Sequence, residues 1–177
     1  MAAKIRIAVT GYQITKDVNR EKWDLIAGIY NFVNTLQKTL PRSANLILVH
    51  GCSTAFDLWA GEAALDLGLG LDLYLPFPRI IQIVKHKLNP IQAESLNRQI
   101  YEAERVSIVS NTFHEFAYPK NAKEVVNGCN MAATYGNNKK IKDFRKYCIF
   151  RHKPLIDLKE YCNEVSLDNI HLTGGIL

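Results

Sequence analysis

The most constraining feature of this sequence is a short apolar run that ends in a glycine and leads into a helical stripe, and it occurs twice in the first 70 residues. Residues 5–9 are a β-branched strand pattern that stops at Thr10-Gly11. Apolar side chains then recur at Leu25, Ile26, Ile29, Phe32, Val33, Leu36 and Leu40, steps of three and four that put one stripe on a helix ended by Pro41. Residues 46–49 repeat the strand and run into His50-Gly51-Cys52-Ser53-Thr54. The following helix spans about residues 55–67, with Thr54 and Asp57 at capping-box spacing and Gly68 as its stop.

The alternation continues. Residues 69–75 read as a third strand broken by Pro76-Phe77-Pro78. Residues 90–104 read as a helix with Ile91, Leu96, Ile100 and Ala103 inward, and residues 106–109 as a fourth strand. Residues 129–135 give a fifth strand, 141–150 a helix and 154–158 a last short strand. Residues 77–89 and 111–123 are the longest irregular connections. Strands alternating with helices predict βαβ units. The expected fold is therefore α/β, a Rossmann-like three-layer sandwich. Its sheet should be mostly parallel, with about five strands and the first one central, and ligands should bind beyond the strand ends. One domain over residues 1–160 and a tail over 161–177 are expected.

Composition narrows the class. With 47% hydrophobic and 22% charged residues the chain is globular in character. No apolar run approaches the ~18 residues of a membrane span, and no export signal opens the sequence, so a cytoplasmic protein without membrane contact is expected. Cys52, Cys129, Cys148 and Cys162 have no CxxC spacing, and the histidines have no HxH or HExxH spacing. Free thiols and no metal site are expected, and no cofactor is implied. The net charge of +5 suits an anionic ligand, and the cluster Lys139, Lys140, Lys142, Arg145, Lys146 reads as a solvated helix face.

Candidate chemistry gathers at the strand ends. In Thr10-Gly11-Tyr12 a glycine permits close approach of a phosphate or sugar, or serves only a tight turn, and Tyr12 can stack on a ring. Gly51, Cys52, Ser53 and Thr54 precede a capped helix, where N–H groups and the helix dipole favour an anion. Nucleophilic use of Cys52 is disfavoured, because a base on the neighbouring strand position His50 should point to the opposite face. Glu62, among Ala60, Gly61, Ala63 and Ala64, is exposed surface, a ribose contact or a glycosyl nucleophile. The loop at Gly136-Asn137-Asn138 should face the same edge, whereas Thr173-Gly174-Gly175 lacks a strand-to-helix context and reads as tail.

Several of these segments together resemble the YpsA-like branch of the SLOG superfamily. The resemblance rests on Ile7 to Tyr12, on Gly51 with Asp57-Leu58-Trp59-Ala60-Gly61-Glu62-Ala63-Ala64, on Leu73-Tyr74-Leu75-Pro76-Phe77, and on Val106 to Ser110 with Lys120-Asn121. It implies a Rossmann-like domain related to DprA-type and LOG-type proteins. It also implies a ligand pocket built from Thr10, Gly11, Tyr12, the Gly51–Thr54 loop, Asp57, Pro76, Phe77, Ser110, Lys120 and Asn121, with Gly136 on the same edge. The chain departs from the family pattern at Gln13, at Cys129-Asn130, and at Gly136-Asn137-Asn138-Lys139-Lys140 where relatives carry a Gly-Gly-Thr loop. The catalytic glycine-rich signature of LOG-type enzymes is absent. The expected function is binding of a nucleotide or nucleotide-derived signalling molecule without turnover, as sensor or sequestering protein. The alternatives are an N-glycosidic hydrolase or transferase using Glu62, and a single-stranded nucleic-acid binder with aromatic and basic residues such as Tyr147, Arg145, Lys146 and Arg151 on one surface. The apolar stretch Ile80-Ile81-Gln82-Ile83-Val84 predicts a homo-oligomer.

Overall fold

The computed structural model describes residues 3–12, 18–41 and 43–162. The segment holding Thr173-Gly174-Gly175 lies outside these residues, as does most of the expected tail. In chain order the elements are β1 (Lys4–Gly11), α1 (Val18–Thr39), β2 (Asn45–His50), α2 (Ala55–Asp66), β3 (Gly70–Leu75), α3 (Arg79–Lys85), α4 (Pro90–Glu102), β4 (Arg105–Ile108), α5 (Ala117–Asn127), β5 (Met131–Tyr135), α6 (Lys139–Phe150), β6 (Leu155–Asp157) and α7 (Lys159–Cys162).

The strands form one parallel sheet in the order β4-β3-β2-β1-β5-β6. This is the Rossmann-like α/β architecture, with six described strands rather than about five, and with β1 interior between β2 and β5. From β1 the chain steps outward to β4, then returns to lay β5 against the other side of β1. Right-handed crossovers put the helices of opposite steps on opposite faces. Accordingly α1, α2 and α4 pack on one face, where Leu25, Ile29, Phe56 and Leu96 meet Ile7, Val9, Leu48, Leu71 and Leu73. On the other face α5 and α6 bring Val125, Val126, Phe144 and Cys148 onto Ala8, Val49, Tyr74 and Ala132. Alternate strand residues thus serve both layers, which is why the buried strands read as nearly continuous apolar runs. The last helix, α7, returns to α1, with Tyr161 edge-on to Phe32 and its carbonyl accepting from Asn31 Nδ2 at 2.9 Å.

Four expectations need correction. Residues 79–85 are helical rather than irregular. The run Ile80-Ile81-Gln82-Ile83-Val84 carries no helical period because it is apolar on both sides: Ile83 packs on the core while Ile80 and Val84 are exposed. Residues 117–127 are also helical, with Pro119 in the first turn, where its missing N–H has no intrahelical acceptor to serve. Ile91 is 79% exposed, and Gln99 takes the inward position on α4 instead. Finally, β5 begins at Met131, after Cys129-Asn130.

Gly11 has a packing role that neither sequence reading named. Its φ is not left-handed, and a Cβ there would enter the ring of Phe56, a buried side chain stacked on Tyr135 at 5.6 Å. The glycine exists to let α2 approach β1. Gly11→Ala is therefore expected to lower unfolding stability by about 1–3 kcal/mol through overpacking, a loss read from the midpoint of urea denaturation.

Candidate functional site

The loop between β2 and α2 is organised by a buried carboxylate. Asp57 has no exposed surface, and its Oδ2 accepts from Ser53 N at 2.7 Å and Ser53 Oγ at 3.0 Å. Thr54 Oγ1 caps α2 by accepting from Asp57 N at 3.1 Å, and Thr10 Oγ1 reaches Asp57 Oδ1 at 3.4 Å. The cap expected from Thr54 is present, while the returning carboxylate is taken by Ser53. Burial raises the Asp57 pKa above the ordinary carboxylate value, and the hydrogen bonds from Ser53 and Thr54 oppose that shift. The donors of Ser53 that an external anion would use are therefore already engaged by the chain's own carboxylate.

Behind the loop lies a second buried polar group. Cys52 has a left-handed φ of 51°, which turns its backbone N–H to within 3.2 Å of His50 Nδ1 and its Sγ to within 3.5 Å. The expectation that His50 and Cys52 would point apart is thus overturned, since they are two positions apart and share a side. Nδ1 accepts from an amide, so the ring proton sits on Nε2, which donates to Gln99 Oε1 at 3.0 Å. Burial drives the His50 pKa down to about 4 and pushes the Cys52 thiol well above its usual value. The pair is a neutral imidazole beside a neutral thiol, the reverse of what a thiolate nucleophile requires.

Two recesses flank the loop. The larger, about 120 Å³, is lined by Cys52, Ser53 and Thr54 with Gln82 and His86 from the α3 segment and Gln92 and Leu96 of α4. The smaller, about 40 Å³, lies between Thr10, Gly51 and Ser53 on the strand ends and Tyr118, Asn121 and Phe144 of α5 and α6. Tyr118 and His86 join them, with Tyr118 Oη 3.3 Å from His86 Nε2. The His86 pKa is lowered, by burial first and by the charge of Lys140 second. Asn121 donates from Nδ2 to Gly51 O at 2.7 Å, which fixes the orientation of its amide, and its buried Oδ1 has no partner among the described residues. A Cβ at Gly51 would stand 3.0 Å from Asn121 Nδ2, close enough that the amide would have to shift by a few tenths of an ångström.

The remaining sequence candidates divide. Phe77 is fully buried between Phe113 at 5.1 Å and Tyr118 at 5.3 Å, lines neither recess, and is not a free stacking face. Pro76 O accepts from Ser110 N at 3.1 Å, and Ser110 Oγ is bonded within its own loop to Thr112 O and His114. Tyr12 is half-exposed at the end of β1, hydrogen-bonded through its N–H to Tyr135 O. Gly136, with φ of 94°, turns β5 into α6 beside it, and Lys120 is exposed in the first turn of α5, next to Asn121. Glu62 stands apart from both recesses: its carboxylate accepts from Ser95 Oγ and Arg98 Nη1, each at 2.6 Å, on α4. Gln82, His86, Tyr118 and Phe144 were not foreseen. For Gln82 there was a signal, a lone amide inside an apolar run. It is 1% exposed and donates to Cys52 O at 3.3 Å.

Fold and edge together define a doubly wound Rossmann-like protein with recesses at the carboxyl ends of its strands, the smaller one beside the end of β1, next to the point where strand order reverses. No family model and no curated protein matches the sequence. Among solved structures it is similar to the X-ray structure of DNA processing protein A (DprA) from Streptococcus pneumoniae, with 13% identity and a TM-score of 0.47. The match covers 88% of this chain and 59% of that one, so the chain spans less than two thirds of that protein's length.

The buried imidazole gives a pH signature. Its folded pKa lies below the unfolded value, so the unfolded chain binds the extra proton. Stability is expected to be complete above pH ~6.5 and to fall as pH drops toward about 4. Urea midpoints across that window check this. His50→Gln keeps a hydrogen-bonding group near Gln99 and should show a shallower acid slope.

Proposed function

We propose that this chain binds a nucleotide or nucleotide-derived molecule at the carboxyl edge of its sheet and does not turn it over. The observation that carries the reading is the unpartnered Asn121 Oδ1, a buried acceptor at a recess that also presents the hydroxyl-bearing residues Thr10 and Ser53. A buried acceptor without a donor is costly, by about 1–3 kcal/mol, unless a ligand supplies one. Sugar hydroxyls and exocyclic base amines are such donors. Exposed Lys120, Lys139 and Lys140 at the same edge suit the phosphate of the same molecule. The resemblance of Gly51 to Ala64 and of Lys120-Asn121 to YpsA-like SLOG domains supports the same pocket. In this reading Gly51, Ser53 and Asp57 frame the donor-bearing part of the ligand, and the anion lies toward the Gly136 loop.

Glycosidic-bond cleavage by Glu62 is the competing reading. The ion pair of Glu62 with Arg98 and its separation from both recesses support a packing role instead. A role as sensor or sequestering protein fits binding without turnover. The exposed Ile80 and Val84 on α3 support a homo-oligomer, and Ile80→Glu with Val84→Glu should shift light scattering toward the monomer.

Calorimetry with mono-, di- and cyclic nucleotides tests the site. Asn121→Leu removes the acceptor and should weaken binding at least about tenfold, or 1.4 kcal/mol. Lys139→Ala should weaken it less, by an amount that shrinks as salt rises. Gly51→Val should resemble Asn121→Leu, because its side chain presses on Asn121. Release of free base by the wild type, lost in Glu62→Gln, would overturn the non-enzymatic reading.

A further inference from the structure

The larger recess, about 120 Å³, is left unused by the proposed nucleotide site. Among the described residues no carboxylate, lysine or arginine lines it. The imidazole in its lining, His86, has its pKa lowered, by burial first and by the charge of Lys140 second. An ion entering here gives up water and meets no opposite charge in return. One wall is apolar, made by Leu58, Leu88 and Leu96. An apolar cavity of ~150 Å³ takes up a benzene ring, so the recess is of a size for one small substituted ring.

Its polar wall carries an unmet hydrogen bond. Gln82 lines the recess and donates from Nε2 to Cys52 O at 3.3 Å, which settles which end of the amide is the oxygen. The buried Oε1 has no donor among the described residues. An acceptor in that state is costly until a donor arrives. The bond that holds the amide is longer than the usual ~2.7–3.2 Å, and the last torsion of a glutamine side chain is soft. A small tilt therefore turns Oε1 toward the recess at little loss. Gln92 of α4 lines the same recess and offers the complementary group. Its Oε1 accepts from Asn89 N at 3.1 Å in the helix cap, which leaves its Nε2 to donate.

We propose that this recess binds a small neutral molecule, one apolar ring carrying a carboxamide. The ring lies on the three leucines, the amide N–H donates to Gln82 Oε1, and the amide oxygen accepts from Gln92 Nε2. A carboxylate of the same shape brings a charge and no donor. A ketone of the same shape brings the oxygen alone and leaves Oε1 unmet. The site involves Gln82 and α4, whereas the nucleotide reading rests on Asn121 and the smaller recess, so neither depends on the other.

The test is an NMR titration of the full chain, read on its backbone amides, with benzamide, acetophenone and benzoate, three molecules of nearly one shape. Benzamide should saturate, with its shifts centred on residues 52–55 and 82–96. Acetophenone lacks the donor and benzoate adds a charge, and each should bind at least about fivefold more weakly. Gln82→Met keeps the length of the side chain and removes the acceptor, and should bring benzamide down to the affinity of acetophenone. Gln92→Glu keeps the capping oxygen and removes the amide donor, and should weaken benzamide several-fold; it serves if Gln82→Met does not fold. Asn121→Leu should leave benzamide binding unchanged even where it abolishes nucleotide binding, which separates the two proposals. No saturation up to ~10 mM benzamide, which leaves the recess to water, would overturn the proposal. So would equal binding of acetophenone, shifts centred elsewhere, or a preference for benzamide that survives Gln82→Met.

Discussion

The handedness of the parallel crossover is the constraint from which the rest of this molecule follows. Strands β1 to β4 step one way across the sheet, so their connecting helices must lie on one face; β5 and β6 step the other way, so α5 and α6 must lie on the opposite one. The consequence is an unequal division of labour. The first face holds α1, α2, α4 and α7 and the larger apolar cluster, including Leu25, Phe32, Leu73 and Leu158. The second face is covered by two helices over a smaller cluster whose strand residues are Ala8, Val49, Tyr74 and Ala132. Those two helices are also the ones whose outer positions collect the positive charge. A reversal in strand order thus separates a structural layer from a basic one.

The same reversal leaves the strand ends open, and the polar groups there are nearly all satisfied from within. Asp57 absorbs the donors of Ser53, and its backbone N–H is taken by Thr54. His50 is fixed in one tautomer between the Cys52 amide and Gln99. These bonds hold the loop in one shape and consume most of what it could offer a ligand. Asn121 Oδ1 and Gln82 Oε1 remain, two buried acceptors on opposite sides of the loop with no donor among the described residues. Polar groups that low solvent access has made expensive are informative in proportion to how thoroughly their neighbours are satisfied.

Much of this was legible in the sequence, and the gaps have physical causes. The strands were readable because both faces of a parallel sheet are buried, so residues 46–49 are apolar without interruption and residues 71–75 are broken only by Asp72 and the hydroxyl of Tyr74. The cap at Thr54 was readable because it depends on two residues three apart. Helices α3 and α5 were not readable: one lacks periodicity, and the other opens around a proline usually taken as a breaker. Gly11 and Glu62 show a different limit. Each belongs to the expected pocket by sequence order, but its neighbours come from elsewhere in the chain: Phe56 fills the space beside Gly11, and Arg98 draws Glu62 to α4. Spacing along a chain cannot register a partner 36 residues away.

The lysine cluster at residues 139–146 carries the sharpest version of that limit. Read alone, it is the solvated side of an amphipathic helix, and Lys139, Lys140, Lys142 and Lys146 are indeed exposed. A solvated side needs no particular sign, however, and on most helices acids and bases alternate there because like charges one turn apart repel by a few tenths of a kcal/mol. On α6, Lys142 and Lys146 are four apart, Lys139 and Lys142 three apart, and Asp143 is the helix's single acid. The nearest helix, α5, adds Lys120 and Lys123 against Glu124 and so compounds the repulsion instead of relieving it. Self-repulsion of this kind lowers stability at low ionic strength. It is relieved by counterions drawn from solution, so the cost of this surface falls as ionic strength rises.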